Sequence, residues 1–518
     1  MDYLDAKGPP SREDRLRAAI AFGGVCSQIR TCEGAARNGC TNLAQRRFTE
    51  SQGCQFNLSL GTINSLRNSA TILHGVVGCG IASVQNWGPN RARKRLIDPK
   101  AEGIVMLSTN LDESDVITGG ERKLREAVLY AERELRPETI VVAVSCVPAL
   151  IGDDVDAILE DLQKQVSATL IPVHCEGFKT KLMATAYDSV YHGYLKKLVR
   201  PPKRRRNIWE QDERLALERF RKSRKVNILN MGSLSYEDEL EIRRVLESLD
   251  LKVTFLPVYA EPEDFQYMLE TSLNVSLCGT HDDYFIQHIE TKYGVPFVVD
   301  VMPIGRKNTD KWLRRIAGHF KLEREVEALI KNENQELQKA LVPFREKLRG
   351  KRVYLLGGEI RIVSSGEIMQ DLGMEIVGFK AHHYDRFVEP MFENLHDVDD
   401  VLYSVATSQP FETSNIITKI KPDICVVHPG GQNVTSRHGL PLIPLFGRQY
   451  NYVGYNGVFE FARRLVRRFR NFEYNKQMKA NVPLPFKKEW YEKDPFSYIK
   501  AAPLEEGSAE IAKMVGAE

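Results

Sequence analysis

The stretch Thr139-Ile140-Val141-Val142-Ala143-Val144-Ser145-Cys146-Val147-Pro148 decides how this chain is read. Its first six residues are β-branched or small and show no polar alternation. A strand that is apolar on both sides is covered on both faces, as in a parallel sheet flanked by helices. In such sheets ligands bind beyond the carboxyl ends of the strands. Cys146 stands just past that end.

Working outward, the same alternation repeats. Upstream lie a strand at Ile104–Leu107 and a charged amphipathic helix at 121–135. Downstream come a helix at 153–165 and a strand at Thr169–Val173. Pro201-Pro202-Lys203-Arg204-Arg205-Arg206 then breaks the pattern and reads as a solvated linker. A second set of strands is expected near Val226–Leu229, Val253–Leu256, Leu273–Leu277 and Pro296–Val301, with helices at 237–248 and 261–271 between them. Residues 308–349 carry Leu322, Val326, Leu329, Leu337 and Leu341 at helical spacing and predict one or two long helices. A third set opens with Val353-Tyr354-Leu355-Leu356-Gly357-Gly358, continues at Glu375–Phe379 and Ile424–Val427, and includes a helix at Val458–Phe469. The expectation is an α/β protein of three Rossmann-like, doubly wound parallel-sheet domains: an N-terminal extension over 1–50, domains over 51–205, 206–345 and 346–475, and an extended tail over 476–518. The extension shows no regular element and reads as a segment that wraps a partner or covers a site.

Composition narrows the function classes. With 518 residues, 42% hydrophobic and 27% charged, the chain has ample core. A net charge of +3 is too small to argue for nucleic acid. No apolar run reaches the roughly 18 residues of a membrane span. The acidic Met1-Asp2-Tyr3-Leu4-Asp5 start is not a secretory pattern, so a cytoplasmic protein is expected. There, nine cysteines are read as thiols or metal ligands rather than disulfides.

Four of those thiols share a context. Cys54 follows Gly53; Cys79 lies in His74-Gly75-Val76-Val77-Gly78-Cys79-Gly80; Cys146 and Cys278 each follow an apolar strand, Cys278 in Leu277-Cys278-Gly279-Thr280. Glycine lets backbone approach a bulky group, and thiolates suit iron and iron–sulfur clusters. For any single one of them, a packed core cysteine is the competing reading. The absence of Cys-x-x-Cys argues against a zinc ribbon or ferredoxin, and no phosphate loop or dinucleotide fingerprint is present. No bound nucleotide is expected; any ATPase is a separate protein.

These motifs, with Asp115-Val116-Ile117-Thr118-Gly119-Gly120-Glu121-Arg122, Ile151-Gly152-Asp153-Asp154 and Cys175-Glu176-Gly177-Phe178, resemble the α-subunit of nitrogenase component one over roughly residues 50–470. The resemblance implies an α2β2 assembly with a homologous β-type subunit. It implies an [8Fe-7S] P-type cluster held by Cys54, Cys79 and Cys146 and shared with that subunit. A larger [8Fe-9S-C]-type cofactor would be held by Cys278 and packed against the backbone at Gly357 and Gly358. Electrons would come from a homodimeric, ATP-dependent [4Fe-4S] reductase.

Departures from nitrogenase carry the expected substrate. Twelve residues after Cys175, where nitrogenase has a histidine donor, stands Tyr187; four residues earlier stands Met183, and Trp87 takes the place of an arginine. This lining suits a small thioether better than dinitrogen. Glu176 is a candidate for proton delivery. The apical histidine position falls on Phe446, which argues against molybdenum; His428 is the first candidate for that end of the cofactor, His438 the second, with His382 and His383 behind. His74 is read as a structural hydrogen-bonding residue. Within the family the best match is the methylthio-alkane reductases, which cleave C–S bonds of dimethyl sulfide or 2-methylthioethanol to methanethiol and a hydrocarbon. A divergent dinitrogenase or other nitrogenase-like reductase, and a non-enzymatic scaffold for cofactor maturation, are the alternatives.

Overall fold

The computed structural model describes residues 3–30, 44–47, 53–81, 105–200, 218–230, 234–299, 301–427, 432–445, 450–470 and 472–501. The chain forms two compact units: Met1–Arg12 with Gly53–Leu337 and Phe446–Val458, and Glu13–Gln52 with Gln338–Leu445 and Phe459–Glu518. The first carries two parallel sheets; the second carries one mixed sheet and a two-stranded antiparallel pair, Ala44–Arg46 with Ile499–Ala501.

In the first sheet the strands run Val105–Ser108, Ser69–His74, Thr139–Val144, Thr169–His174, all parallel. The continuous apolar run at 139–144 does what its pattern requires. Ile140, Val142 and Val144 face a cluster with Leu124, Val128, Ile158 and Leu159. Val141 and Ala143 face the opposite cluster with Phe56, Leu60, Val190 and Tyr194. Helices Glu121–Tyr130 and Val155–Leu162 therefore cover one face, and Gln55–Ile63 and Thr185–Lys197 the other. The predicted helix at 121–135 becomes an α-helix that widens into a π-helical turn over Ala131–Leu135.

The second sheet orders Phe297–Val298, Leu273–Ser276, Lys225–Asn230, Lys252–Pro257, again parallel. Two long helices, Arg306–Phe320 and Glu323–Leu348, follow. The linker at 201–206 lies outside the described residues. Residues 450–458 return to this unit, where Asp238 Oδ1 accepts the backbone N–H groups of Tyr452 and Val453 at 2.9 Å each.

The sheet of the second unit orders Phe22–Val25, Leu402–Val405, Glu375–Ala381, Arg352–Gly357, Ile424–Val427, Leu442–Pro444. Its first strand is antiparallel and comes from the N-terminal region, in which the sequence showed no regular element. Glycines at 23 and 24 and the short apolar run hid it. The same region supplies Arg46, whose guanidinium meets Glu412 at 2.6 and 2.9 Å and the carbonyl of Val405 at 2.7 Å. The C-terminal region also differs from the extended tail expected: Glu473–Asn481 and Lys488–Glu492 are helical, and Trp490 stacks on Tyr498 with ring centroids 5.6 Å apart while donating to Phe411 O. Aromatic anchors, sparse in sequence, dock this segment despite its Lys, Glu and Pro content. Among the described residues no helix is long and apolar enough to cross a membrane.

One polar knot fixes the first unit. Arg12 is fully buried, 3.1 Å from both Asp188 and Asp283, and its Nη2 reaches Gly279 O at 3.4 Å. It ties the N-terminal strap to helix Thr185–Lys197 and to the first turn of helix Gly279–Tyr293. Removing one partner of a buried ion cluster strands the others without water. Arg12→Met is expected to cost about 3–5 kcal/mol, read as a lowered denaturant midpoint at unchanged slope; a loss below about 1 kcal/mol would mean the two aspartates are neutralised elsewhere.

Candidate metal–sulfur sites

Neighbouring parallel strands bring the thiols together. His74 lies opposite Val144, and Val144 opposite His174. The chain leaves all three strands on one rim, so the turn carrying Cys79, the helix Cys146–Ile151 and the Cys175–Gly177 turn stand side by side. Cys54 caps helix Gln55–Ile63, packed on the same sheet. A Cβ placed on Gly177 would lie 2.7 Å from Cys54 Sγ and 3.6 Å from Cys146 Sγ. Both sulfurs thus converge over a residue that must lack a side chain. Burial pushes the Cys79 thiol up, the nearby Cys146 and Cys54 push it further, and a hydrogen bond with Ser145 opposes them. Mutual repulsion of three adjacent thiolates is what bound iron would relieve.

This face is apolar and open. Val77 is 63% exposed, Ile117 85%, Leu150 71% and Phe178 54%. Four large apolar side chains flanking the thiols mark an interaction surface rather than scattered exposure.

Behind the thiols, polar groups hold the frame. His74 links Thr109 Oγ1 and Asp153 Oδ2 at 3.2 Å each, and Asp153 in turn accepts Gly120 N–H at 3.0 Å. The hydrogen-bonding role read for His74 is the one the structure assigns. Cys175 is fully buried with its S–H toward Val144 O at 3.7 Å, and burial holds its thiol protonated. Glu176 is buried, with Oε1 2.8 Å from Lys179 Nζ and 3.3 Å from His174 Nδ1. Burial alone would raise its pKa; those two partners lower it instead. It is a held carboxylate.

Cys278 occupies a different rim, beyond strand Leu273–Ser276. It is 4% exposed and caps the fifteen-residue helix Gly279–Tyr293, whose positive end favours a thiolate. Its N–H donates to Ser276 Oγ at 3.0 Å; Ser276 Oγ donates to Asp282 Oδ2 at 2.8 Å, and Tyr191 OH to Asp282 Oδ1 at 2.8 Å. Tyr187 lies against the ring of His281, centroids 4.1 Å apart, and His281 donates its N–H to Cys278 O. His281 escaped the sequence reading; its position three residues after Cys278, on the same first helical turn, was the available signal. Met183 sits in the turn that starts helix Thr185–Lys197, accepting Ala186 N–H. Trp87, His428 and Phe446 lie outside the described residues.

In the second unit Gly357 ends strand Arg352–Gly357 and Gly358 is the N-cap of the following helix, with 3.8 Å between a Cβ at 358 and Arg361. His438 is bound to Ser414 Oγ at 2.7 Å, and burial lowers it to about 4, so it is a neutral imidazole with a structural partner.

Parallel sheets with thiols gathered at their carboxyl rims define an α/β class, and the comparisons give its family. The solved structure described as nitrogenase Cp1 at pH 6.5 superposes with a TM-score of 0.67 at 20% identity, covering 94% of this chain and 99% of that one. The nitrogenase iron-molybdenum cofactor biosynthesis protein NifE of Rippkaea orientalis is 27% identical over 85% of this chain and 89% of its own length. The nitrogenase molybdenum-iron protein alpha chain of Herbaspirillum seropedicae is 28% identical over 79% and 83%. The family model for nitrogenase component 1 type oxidoreductases matches residues 54–470, and the chain belongs to that family.

Two outcomes are expected. Gly177→Ala should displace the Cys54 sulfur and lower bound iron, measured per complex, without lowering cooperativity of unfolding; unchanged iron would mean the thiols do not act together. Burial raises Asp282 to about 7, against hydrogen bonds from Tyr191 and Ser276 and with Asp283 adding to the rise. A carboxyl with a raised folded-state pKa favours folding when protonated. Its contribution is therefore fully present below about pH 4 and is lost as pH climbs from there through about 7. Asp282→Asn should flatten the stability profile in that window, and a profile identical to the parent's would exclude this titration.

Proposed function

We propose that the chain is the α-type subunit of a nitrogenase-like reductase that cleaves C–S bonds of small methylthio compounds. The observation that carries this is the separation of the thiols into two sites. Cys54, Cys79 and Cys146 converge on an open apolar face, where a homologous β-type subunit would complete a shared P-type cluster. Cys278 stands alone and enclosed at the tip of a helix, fitted to hold one iron of a larger cofactor. When bound, those groups supply stepwise reducing equivalents. The chain's own part is positional. The positive end of helix Gly279–Tyr293 favours a thiolate at Cys278, His281 on the first turn of that helix packs its ring against Tyr187, and the fully buried Asp282 and Tyr191 fix the turn. Tyr187 and Met183, with Trp87 expected beside them, suit a thioether through dispersion and ring contact rather than hydrogen bonds. Gly357 and Gly358 would let backbone approach the cofactor, with His428 at its far end and no molybdenum required.

The second reading is a scaffold on which a cofactor is matured. Its support is the 27% identity to a cofactor biosynthesis protein along 85% of the chain. A divergent dinitrogenase is the third, by the similar level of identity to alpha chains.

The test is turnover. The anaerobically purified complex, with its ATP-dependent [4Fe-4S] reductase, should release methanethiol from dimethyl sulfide or 2-methylthioethanol. It should carry about sixteen irons per αβ pair without molybdenum or vanadium. Cys278→Ala should abolish turnover and remove about half of that iron, and Cys146→Ala should remove the other share. A fully loaded complex that releases no methanethiol would sink the reductase reading and leave the scaffold.

A further inference from the structure

The second unit holds a cluster that the metal–sulfur sites do not use. Glu359 is the first residue of the helix after strand Arg352–Gly357, and His383 and Asp385 lie in the turn after strand Glu375–Ala381. These strands are parallel neighbours with Gly357 opposite Ala381, so both turns leave the same carboxyl rim. All three side chains are buried. One atom from each, including His383 Nε2, lies within 4.8 Å of the others.

His383 Nε2 is 3.1 Å from Glu359 Oε1 and 3.3 Å from Asp385 Oδ2. Nε2 is buried without a well-aligned hydrogen-bond partner. Two ligand atoms each about 2.1 Å from one ion, subtending 90–109°, are about 3.0–3.4 Å apart. Both separations from His383 fall in that range, and the third ligand atom lies within 4.8 Å of the other two.

The turn is also pre-set. Asp385 Oδ1 accepts Phe387 N–H at 2.9 Å, which leaves Oδ2 for His383. Tyr384 exchanges backbone hydrogen bonds with Ala19, and His382 N–H donates to Gly357 O at 3.1 Å. Ligands held by backbone pairing on both sides cannot swing apart cheaply.

We propose that Glu359, His383 and Asp385 form a mononuclear divalent-cation site, separate from the thiol sites. Two carboxylates and one imidazole, with no sulfur, take oxygen- and nitrogen-preferring ions of the Mn2+, Fe2+ and Zn2+ class rather than soft Cu+. The site is independent of the reaction proposed above.

Mn2+ is the probe, since thiolates and iron–sulfur ligands compete for it poorly. The intact complex, isolated from manganese-supplemented cells, should contain about one Mn per chain by elemental analysis. Pulsed EPR of that Mn2+ should show modulation from a single imidazole nitrogen. Glu359→Gln and Asp385→Asn, both isosteric, should weaken Mn2+ roughly 10- to 100-fold, and His383→Gln should abolish the nitrogen signal. Iron content should be unchanged in all three, which separates this result from any failure of the thiol sites. Equal manganese in parent and isosteric variants, or bound Mn2+ without nitrogen modulation, would overturn the assignment.

Discussion

The register of three parallel strands governs the rest of this molecule. With His74, Val144 and His174 side by side, the residues that follow each strand must emerge on one rim within a few ångströms of each other. Strands in a sheet are about 4.8 Å apart, so the segments that follow neighbouring strands start close together. A one-residue slip in any strand would turn its side chains to the other face. It would also move a thiol off the site. The split of Ile140, Val142 and Val144 to one core and Val141 and Ala143 to the other is what prevents such a slip. Packing on both faces of one strand thus sets the position of the thiols.

Buried charge does complementary work near the second thiol. Arg12, Asp188 and Asp283 are all fully withdrawn from water, and Asp282 beside them is raised to about 7 by burial. Such groups are poor contributors to net stability, since hydrophobic replacements often do as well. Their value is directional. They fix where the N-terminal strap crosses helix Gly279–Tyr293, and so where Cys278 points. The Glu176, His174 and Lys179 cluster does the same behind the first thiol site, keeping an ionised carboxylate in a buried turn.

The parallel strands were legible because their residues are apolar without alternation, a pattern few other elements produce. Thr139–Val144 and Ile424–Val427 appear at the bounds their composition implies. The positions of Cys146 and Cys278 followed from the same rule, since both fall just beyond such a strand. What stayed hidden depends on distant partners. Phe22–Val25 has glycine at half its positions and becomes a strand only by pairing with Leu402–Val405. Glu473–Asn481 carries no buried residue and is helical beside other elements of its unit. Arg12 reads as one of many arginines, and nothing local says that two aspartates close on it. His281 is a residue of an ordinary helix until Tyr187 is set against it. Convergence of Glu359 with His383 and Asp385 requires the register of two strands, which no local window contains.

Depth separates the readings of Cys278. A cargo handed to another protein must pass through an opening wide enough for a cluster. The thiol here is 4% exposed, and its turn is held by Ser276, Asp282 and Tyr191 on one side and by Arg12 at Gly279 O on the other. Opening that turn would expose or unpair several fully buried charged and polar groups together, at a cost of several kcal/mol. An enzyme that keeps its cofactor through many cycles gains from that barrier, because the thiolate stays aligned and water stays out. A carrier that releases its cofactor once per cycle would meet the same barrier at each hand-off. On the reading proposed above, the rigidity around Cys278 favours a group that stays in place over one that is handed on.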